Sequence, residues 1–480
     1  MSIESLYEAV RAGAGRHADT ALLAEGRTWA YGELLDAADA FAAQLRRRPE
    51  SAEPLVAELA DPVGTAVVTL GCDLAGVALV HRDPSSPAPV AGPVVHDGRA
   101  RAVGPDEVPC FDGRLWLHTD GRSPLPPDLP DGAQIFLTSG STGTPRAVVR
   151  TVDAVRADAL RVAGFLGYAP DAPVVCSAPF FHAYGFNYGL MGPLLTGATV
   201  RWCPSRTVPS QLARSVQECG ARTLIALPAH YGLLAASTGL ADPVWDTRLA
   251  TLRAAVSAGA PLAAGVAPTV VQRFTFGLYN CYGSSEAGAV TLTPLTGDEE
   301  GGWIGAPLPG VTARVEPLDE ASKVGELLLR TTSLAALRLG PRGTEPLARD
   351  DGWYPTGDLA LAQTPGGGIR LVGRVTAVIN VAGKKVSPGE VERVLAAHPQ
   401  VADVQVVAAA DPARGQVPVA RVVLLDESAA SQLTGWCRQR LAPHQVPRRF
   451  DMVEEIPRSA TGKPLAVATA QEPTAAGEAR

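Results

Sequence analysis

Five segments carry the residue types that phosphate and carboxylate chemistry requires. The first is Ile135-Phe-Leu-Thr-Ser-Gly-Ser-Thr-Gly-Thr-Pro-Arg-Ala-Val148, an apolar strand running into a stretch of Gly, Ser and Thr. Small residues let the backbone approach a phosphate chain closely, and their amides and hydroxyls donate to anionic oxygens. Thr138, Ser139, Gly140, Ser141, Thr142 and Gly143 are the candidate donors, with Arg146 as the nearby charge. No Gly-Lys-Ser/Thr follows at P-loop spacing, so a phosphate-binding loop here would be of another kind; an ordinary polar linker would use the same residue types. The second segment, Asn280-Cys-Tyr-Gly-Ser-Ser-Glu286, offers a stacking face in Tyr282, backbone freedom at Gly283, hydroxyls at Ser284 and Ser285, and one carboxylate. Magnesium takes one or two carboxylates together with phosphate oxygens and water, which makes Glu286 a candidate metal contact. Taken alone, the same residues also suit an ordinary turn.

The third segment, Trp353-Tyr-Pro-Thr-Gly-Asp358, presents an aspartate that can accept from a vicinal diol, as a ribose requires; an Asx turn would use the same residues. The fourth joins Gly373-Arg374 to Val378-Ile-Asn-Val-Ala-Gly-Lys-Lys-Val-Ser-Pro-Gly-Glu-Val-Glu392, and the fifth is Ile456-Pro-Arg-Ser-Ala-Thr-Gly-Lys463-Pro. Lysine is rare. Of the 42 basic residues four are lysines, Lys323, Lys384, Lys385 and Lys463, and the rest are arginines. In a chain this biased toward arginine, each remaining lysine is a candidate for a site needing a compact ammonium on a flexible stem, with chance retention as the alternative. Three of the four fall in the last two segments.

The elements that must position these residues follow from periodicity. Leu6 to Arg11, Tyr31 to Arg46, Asp153 to Phe165 and Leu212 to Cys219 carry helical spacing, whereas Val63 to Leu70, Val77 to His81, Pro173 to Ala178 and Thr223 to Leu227 read as strands. The long apolar stretch from Val63 to Val80 is expected to be a buried strand–turn–helix unit. Strands separated by helices predict parallel sheets of the α/β kind. After about residue 300, short strands between Gly/Pro turns predict an antiparallel or barrel-like part. From Gly373 a small α+β unit is expected, with strands over Val375 to Val381, Val401 to Ala408 and Val417 to Leu425 and helices over Pro388 to His398 and Ser428 to Arg440. The expected division is residues 1–373 and 374–480.

The 480 residues are 46% hydrophobic and 19% charged, the balance of a globular protein with ample core for an enzyme. A formal net charge of −7 argues against a nucleic-acid binder. The seven cysteines show no CxxC pair, and the first residues show no basic region followed by an apolar core. These features predict a reducing, cytoplasmic setting with neither disulfide framework nor membrane span.

In this order and spacing the five segments, together with Trp29-Ala-Tyr-Gly-Glu-Leu and Ser257-Ala-Gly-Ala-Pro-Leu262, resemble the adenylate-forming enzymes: acyl- and aryl-CoA ligases, nonribosomal-peptide adenylation domains and luciferase-like proteins. The resemblance spans nearly the whole chain. It implies an α/β multidomain fold, with a large N-terminal domain of α/β subdomains plus a β-barrel part and a small mobile α+β C-terminal domain. It also implies a reaction in which a carboxylic acid attacks the α-phosphate of ATP, with Mg2+, before transfer to the thiol of coenzyme A or a carrier protein's phosphopantetheine. By motif, Thr138 to Gly143 would cradle the β- and γ-phosphates. Gly259, Ala260, Pro261 and Tyr282, within the Asn280–Ser285 segment, would frame the adenine. Asp358 and Arg374 would hold the ribose, Glu286 the metal, and Lys463 the carboxylate and α-phosphate. Gly383 and Lys384 would line the thiol tunnel, with a hinge at Thr376.

Pro179-Phe-Phe-His-Ala-Tyr-Gly-Phe186 lacks the aspartate with which amino-acid-activating relatives pair a substrate ammonium, and so looks like the acyl and aryl ligases. His182 would gate the acid, with Tyr184 and Phe186 lining its pocket. Three departures from the family pattern bear on the acceptor: Arg146 where lysine is usual, Thr376 where aspartate or lysine is usual, and Asn380 where many acyl-CoA ligases carry lysine. All three weaken the second half-reaction more than the first, which leaves an amine acceptor or a non-catalytic nucleotide-binding role as the alternatives.

Overall fold

A computed structural model describes residues 5–457 except 15–18, 25, 48–52, 87–91, 99–106, 112, 119–124, 127, 140–144, 238–241, 264, 298–300, 319–323, 341–342, 350, 362–367, 376–377 and 383. The expected sites at Gly140, Ser141, Thr142, Gly143, Thr376, Gly383 and Lys463 therefore lie outside the described residues. The chain divides into two compact units, residues 1–300, 304–313 and 329–355 against 301–303, 314–328 and 356–480.

The first unit contains two sheets. One has eight strands in the order Gly288–Pro294, Gly277–Ser284, Ala254–Ala258, Thr223–Ala226, Val174–Cys176, Val200–Trp202, Thr20–Ala24, Arg27–Ala30. From Gly277–Ser284 to Thr20–Ala24 its neighbours are parallel, so their carboxyl ends share one edge. The second sheet has nine strands, with Leu55–Glu58, Leu79–His81 and Gln134–Ser139 parallel at its centre and Pro145–Arg150 returning antiparallel beside Gln134–Ser139. Helices Val152–Leu166 and Pro209–Cys219 lie where the 3.6-residue period placed them.

One expectation is corrected. Pro62–Ala75 is a helix and Leu79–His81 the strand that follows it, the reverse of the strand-then-helix order expected for this stretch. The helix is buried along almost all of its length, so no polar face betrays its period, and its β-branched residues imitate a strand. Its ends are nonetheless written locally. Asp61 accepts from the Val63 amide, Pro62 takes the first turn, and Gly76 closes the helix at φ +71°.

A single carboxylate ties the two sheets of this unit together. Asp158, on helix Val152–Leu166, is fully buried and pairs with fully buried Arg150 at 3.0 Å. Arg150 ends the strand that leaves the Gly/Ser/Thr loop. The Asp158 oxygens also accept from Asn187 Nδ2 at 2.6 Å, from Tyr188 Oη at 3.1 Å and from the Ala289 amide at 2.9 Å. Arg150 donates further to the carbonyls of Ala154 and Ser333. Gly288 is required at this contact: its φ is +74°, and a Cβ there would lie 2.4 Å from the carboxylate.

The second unit has its own core, built on strands Ile379–Val381, Val401–Asp411 and Gly415–Leu424 with helix Pro388–Ala396. The expected helix over Ser428 to Arg440 is a 3-10 turn, Glu427–Gln432, followed by a short α-helix, Leu433–Arg438. Strands Trp303–Gly305, Ile369–Arg374, Tyr354–Leu361, Val324–Thr331 and Val311–Pro317 form a five-stranded sheet in that order.

Removing Asp158 leaves Arg150 buried without its counter-charge. Asp158→Ala is expected to lower stability by about 3–5 kcal/mol, read as the midpoint of the first urea-unfolding transition. Gly288→Ala is expected to be destabilising as well. The double variant should be less stable than either single one but by less than their sum, because the clash disappears with the carboxylate.

Candidate active site

Four loops leave the carboxyl edge of the eight-stranded sheet: Ser177 to Tyr184, Leu227-Pro228, Gly259 to Leu262, and Ser285 to Ala287. This is the edge at which parallel α/β sheets bind ligands, because side chains and amide groups there are not consumed by the ladder. The loops carry His182, Gly259-Ala260-Pro261 and Glu286, and so bring the sequence-predicted acid, adenine and metal residues of the first unit to one edge.

The segment after Phe181 seams the two sheets. His182 heads a helical stretch that continues as a π-helix over Gly185–Met191, a rare conformation that recurs at functional sites. Two tight contacts hold this stretch against its neighbours. A Cβ on Gly185 would meet the Pro179 carbonyl oxygen at 2.3 Å, and one on Gly189 would meet Cys176 Sγ at 2.1 Å. Tyr184 Oη reaches the carbonyls of Ala226 and Val256 at 3.0 and 2.8 Å, tying the seam to two adjacent strands. Phe186 is completely buried between His81 and Phe136 of the nine-stranded sheet, at 4.6 and 5.3 Å. It is a core residue here, and only His182 and Tyr184 stand on the edge.

His182 keeps an exposed surface beside Phe181, with ring centroids 4.7 Å apart. Lost hydration lowers its imidazole pKa from the ordinary value, and the Asp83 carboxylate opposes the shift. Asp83 follows strand Leu79–His81, so the carboxyl ends of the two sheets lie within electrostatic reach of each other.

Glu286 sits in the turn between strands Gly277–Ser284 and Gly288–Pro294. Its carbonyl accepts from the Ala335 amide at 2.8 Å, and its carboxylate lies 3.7 Å from Arg338. Ser284 Oγ closes the turn by accepting from the Ala287 amide at 3.1 Å. Asn280, Tyr282 and Ser285 are half-buried, and Gly283 and Ser284 exposed. No cluster of three or more His, Cys, Asp or Glu suited to a metal stands among the described residues. A single carboxylate is the donor set expected for magnesium held mainly by phosphate and water, and Glu286 fits it.

Thr138 and Arg146 face each other across strands Gln134–Ser139 and Pro145–Arg150, with Thr138 Oγ1 donating to the Arg146 carbonyl at 3.3 Å. The flanks of the Gly/Ser/Thr segment are thus paired antiparallel strands, and Ser139 ends the first of them. Strand Leu337–Gly340 pairs with the return strand and places Arg338 opposite Val148. The sequence motifs pointed to neither Arg338 nor Asp158, because each owes its position to partners distant along the chain.

In the second unit Asp358 and Arg374 stand opposite each other on an antiparallel pair, with Arg374 Nε 2.6 Å from Asp358 Oδ1. Thr356 Oγ1 accepts from the Asp358 amide at 3.0 Å and donates to the Leu327 carbonyl at 2.8 Å, which fixes the turn. A carboxylate held this way, with a largely exposed guanidinium beside it, can accept from a diol. Lys384 is exposed at the start of strand Lys384–Val386, after Ala382 at φ +50°. Asn380 is exposed, and its amide donates to Gln416 Oε1 at 2.9 Å. No helix among the described residues is long and apolar enough to cross a membrane.

The chain is 31% identical over 369 residues to the mitochondrial malonate–CoA ligase of Bos taurus, covering 69% of this chain and 63% of that protein. It is 28% identical over 490 residues to a 4-hydroxybenzoate–CoA/benzoate–CoA ligase of Rhodopseudomonas palustris, covering 94% of this chain and 90% of that one. An amide bond synthetase from Marinactinospora thermotolerans shares the fold, with a TM-score of 0.77 at 23% identity over 96% of this chain and 98% of that one. Residues 10–336 match the AMP-binding enzyme model and residues 390–463 the C-terminal domain model of the same enzymes. With both models matched in chain order and the fold shared end to end, this chain belongs to the AMP-binding, adenylate-forming enzyme family.

Proposed function

We propose that this protein is an ATP-dependent carboxylic-acid ligase that activates an acyl or aryl acid as its adenylate and passes it to the thiol of coenzyme A or of a carrier protein's phosphopantetheine. The observation that carries the reading is the convergence of the His182 loop, the Gly259–Leu262 loop and the Glu286 turn on one sheet edge. The ligase names of the bovine and Rhodopseudomonas relatives support it. The chain spans about 63% of the length of the bovine protein, so the whole-protein activity is part of the proposal.

A free carboxylate is a poor electrophile because attack adds charge to an anion. In the proposed first step a carboxylate oxygen bonds to the α-phosphorus of ATP while the bond to the pyrophosphate oxygen breaks. In the second, a thiol sulfur bonds to the acyl carbon, AMP leaves, and the thiol proton passes to solvent. Catalysis of this kind is chiefly positioning and charge stabilisation. Thr138 to Gly143 with Arg146 are proposed to hold the β- and γ-phosphates. Gly259, Ala260, Pro261 and the Asn280–Ser285 segment would frame the adenine, and Asp358 with Arg374 would hold the ribose. Magnesium, when bound, neutralises phosphate charge, and Glu286 is the residue that would hold it. His182, kept neutral by its lowered pKa, would stand beside the acid without adding charge to it. Lys463 would span the carboxylate and α-phosphate, and Gly383 and Lys384 the thiol path, with a hinge at Thr376. Thr376 and Asn380 favour a second reading, in which an amine takes the acyl group in place of the thiol.

Lys463→Ala is expected to slow adenylate formation by roughly 10²–10³ while sparing thioester formation from supplied adenylate. Gly383→Trp is expected to do the reverse. Pyrophosphate release and thioester yield, followed separately, check both; equal damage to both steps by both variants would contradict the assignment of Lys463 to the first step and Gly383 to the second.

A further inference from the structure

Arg338 and Glu345 belong to none of the five motifs, yet they complete a row of charges that ends on Glu286. Arg338 lies on strand Leu337–Gly340, directly opposite Glu345 across a hairpin. Its Nε and Nη2 are each 3.0 Å from Glu345 Oε2, and its Nη1 is 3.7 Å from Glu286 Oε1. The three side chains are only 15–27% exposed, so their interaction escapes much of the screening of a surface pair.

The same stretch grips the backbone around Glu286. The Ala335 amide donates to the Glu286 carbonyl at 2.8 Å, and Ser333 Oγ donates to the Ala287 carbonyl at 2.7 Å. The Glu286 turn is therefore held at two backbone points by Ser333–Ala335, and Arg338 reaches its carboxylate from three residues further on. The strand bearing Arg338 is also hydrogen-bonded to Pro145–Arg150, the strand that leaves the phosphate loop. The relay thus links the two segments read as holding phosphate and metal.

A guanidinium shared between two carboxylates divides its field between them. With Glu345 charged, Arg338 is drawn toward the hairpin and touches Glu286 only at the limit of an ion pair. That orients the Glu286 carboxylate while leaving it able to take a cation. We propose that Arg338, restrained by Glu345, is a positioning residue that sets the orientation and cation affinity of Glu286. The proposal rests on the reading of Glu286 as the magnesium contact.

It fixes two opposite signs. Neutralising Glu345 releases Arg338 toward Glu286 and weakens the metal's hold; removing the Arg338 charge leaves Glu286 undivided and strengthens it. The test is ATP binding to the full chain by calorimetry, without carboxylic acid, in chelator and in saturating magnesium. The ratio of the two dissociation constants measures how strongly the metal supports ATP binding. Arg338→Met is expected to raise this ratio by about threefold and Glu345→Gln to lower it by about threefold, the scale of a partly exposed ion pair. A purely structural role would change the melting temperature without opposite shifts in the ratio. Should Arg338→Met fail to fold, the isosteric Glu345→Gln carries the test, since its sign is fixed.

Glu286→Gln separates the two layers of the argument. If it leaves the ratio unchanged, the metal reading fails and the relay with it. If it lowers the ratio while Arg338→Met and Glu345→Gln give no shift, or shifts of one sign, the relay alone is overturned.

Discussion

The architecture of the first unit depends on one buried carboxylate. Asp158 is fully enclosed, and ionised it is tolerable there only because Arg150, Asn187, Tyr188 and the Ala289 amide surround it. Each partner belongs to an element that carries part of the candidate site. Arg150 ends the strand that follows the Gly/Ser/Thr segment, Asn187 and Tyr188 lie on the π-helix behind His182, and Ala289 lies in the strand after the Glu286 turn. Satisfying one buried charge therefore fixes three elements of the unit, strands Pro145–Arg150 and Gly288–Pro294 and the π-helix Gly185–Met191, against one another. Such a pair contributes little net stability, but breaking it is costly, and that asymmetry suits a positioning device.

In each unit the candidate side chains are placed on stiff supports: in the first, Tyr184 is pinned to two adjacent strands and Glu286 is clamped through its own carbonyl, and in the second, Asp358 is fixed by Thr356 and Arg374. Preorganisation of this sort is what the proposed multiply anionic reaction would require, since it spares reorganisation of the protein at the crowded step. The charges are also graded. The deepest pair, Arg150–Asp158, is closed to solvent, whereas Arg374 and Arg338 retain access to a ligand.

Much of this was legible in the sequence wherever the signal was local. The strands flanking the Gly/Ser/Thr segment, the turn that carries Glu286, and Asp358 opposite Arg374 were each marked by neighbouring residues. Helix Val152–Leu166 and strands Thr223–Ala226 and Val174–Cys176 followed from their periods. What escaped depends on distant partners. Asp158 reads as an ordinary helical aspartate until Ala289, 131 residues away, is placed against it. Helix Pro62–Ala75 escaped for the opposite reason: burial along almost all of its length erased the polar face that gives a helix its period. Phe186 was expected to line the acid pocket, and only the packing against His81 and Phe136 shows it to be core.

The central claim is that this chain forms an adenylate from a carboxylic acid and ATP. The direct measurement is acid-dependent exchange of labelled pyrophosphate into ATP with magnesium, run without any acceptor over benzoates, cinnamates, malonate-like diacids, fatty acids and amino acids. Reversible adenylation predicts exchange with one acid class that vanishes when the acid is omitted. Binding of ATP with no exchange for any acid would contradict the account and leave a nucleotide-binding protein that does not activate carboxylates.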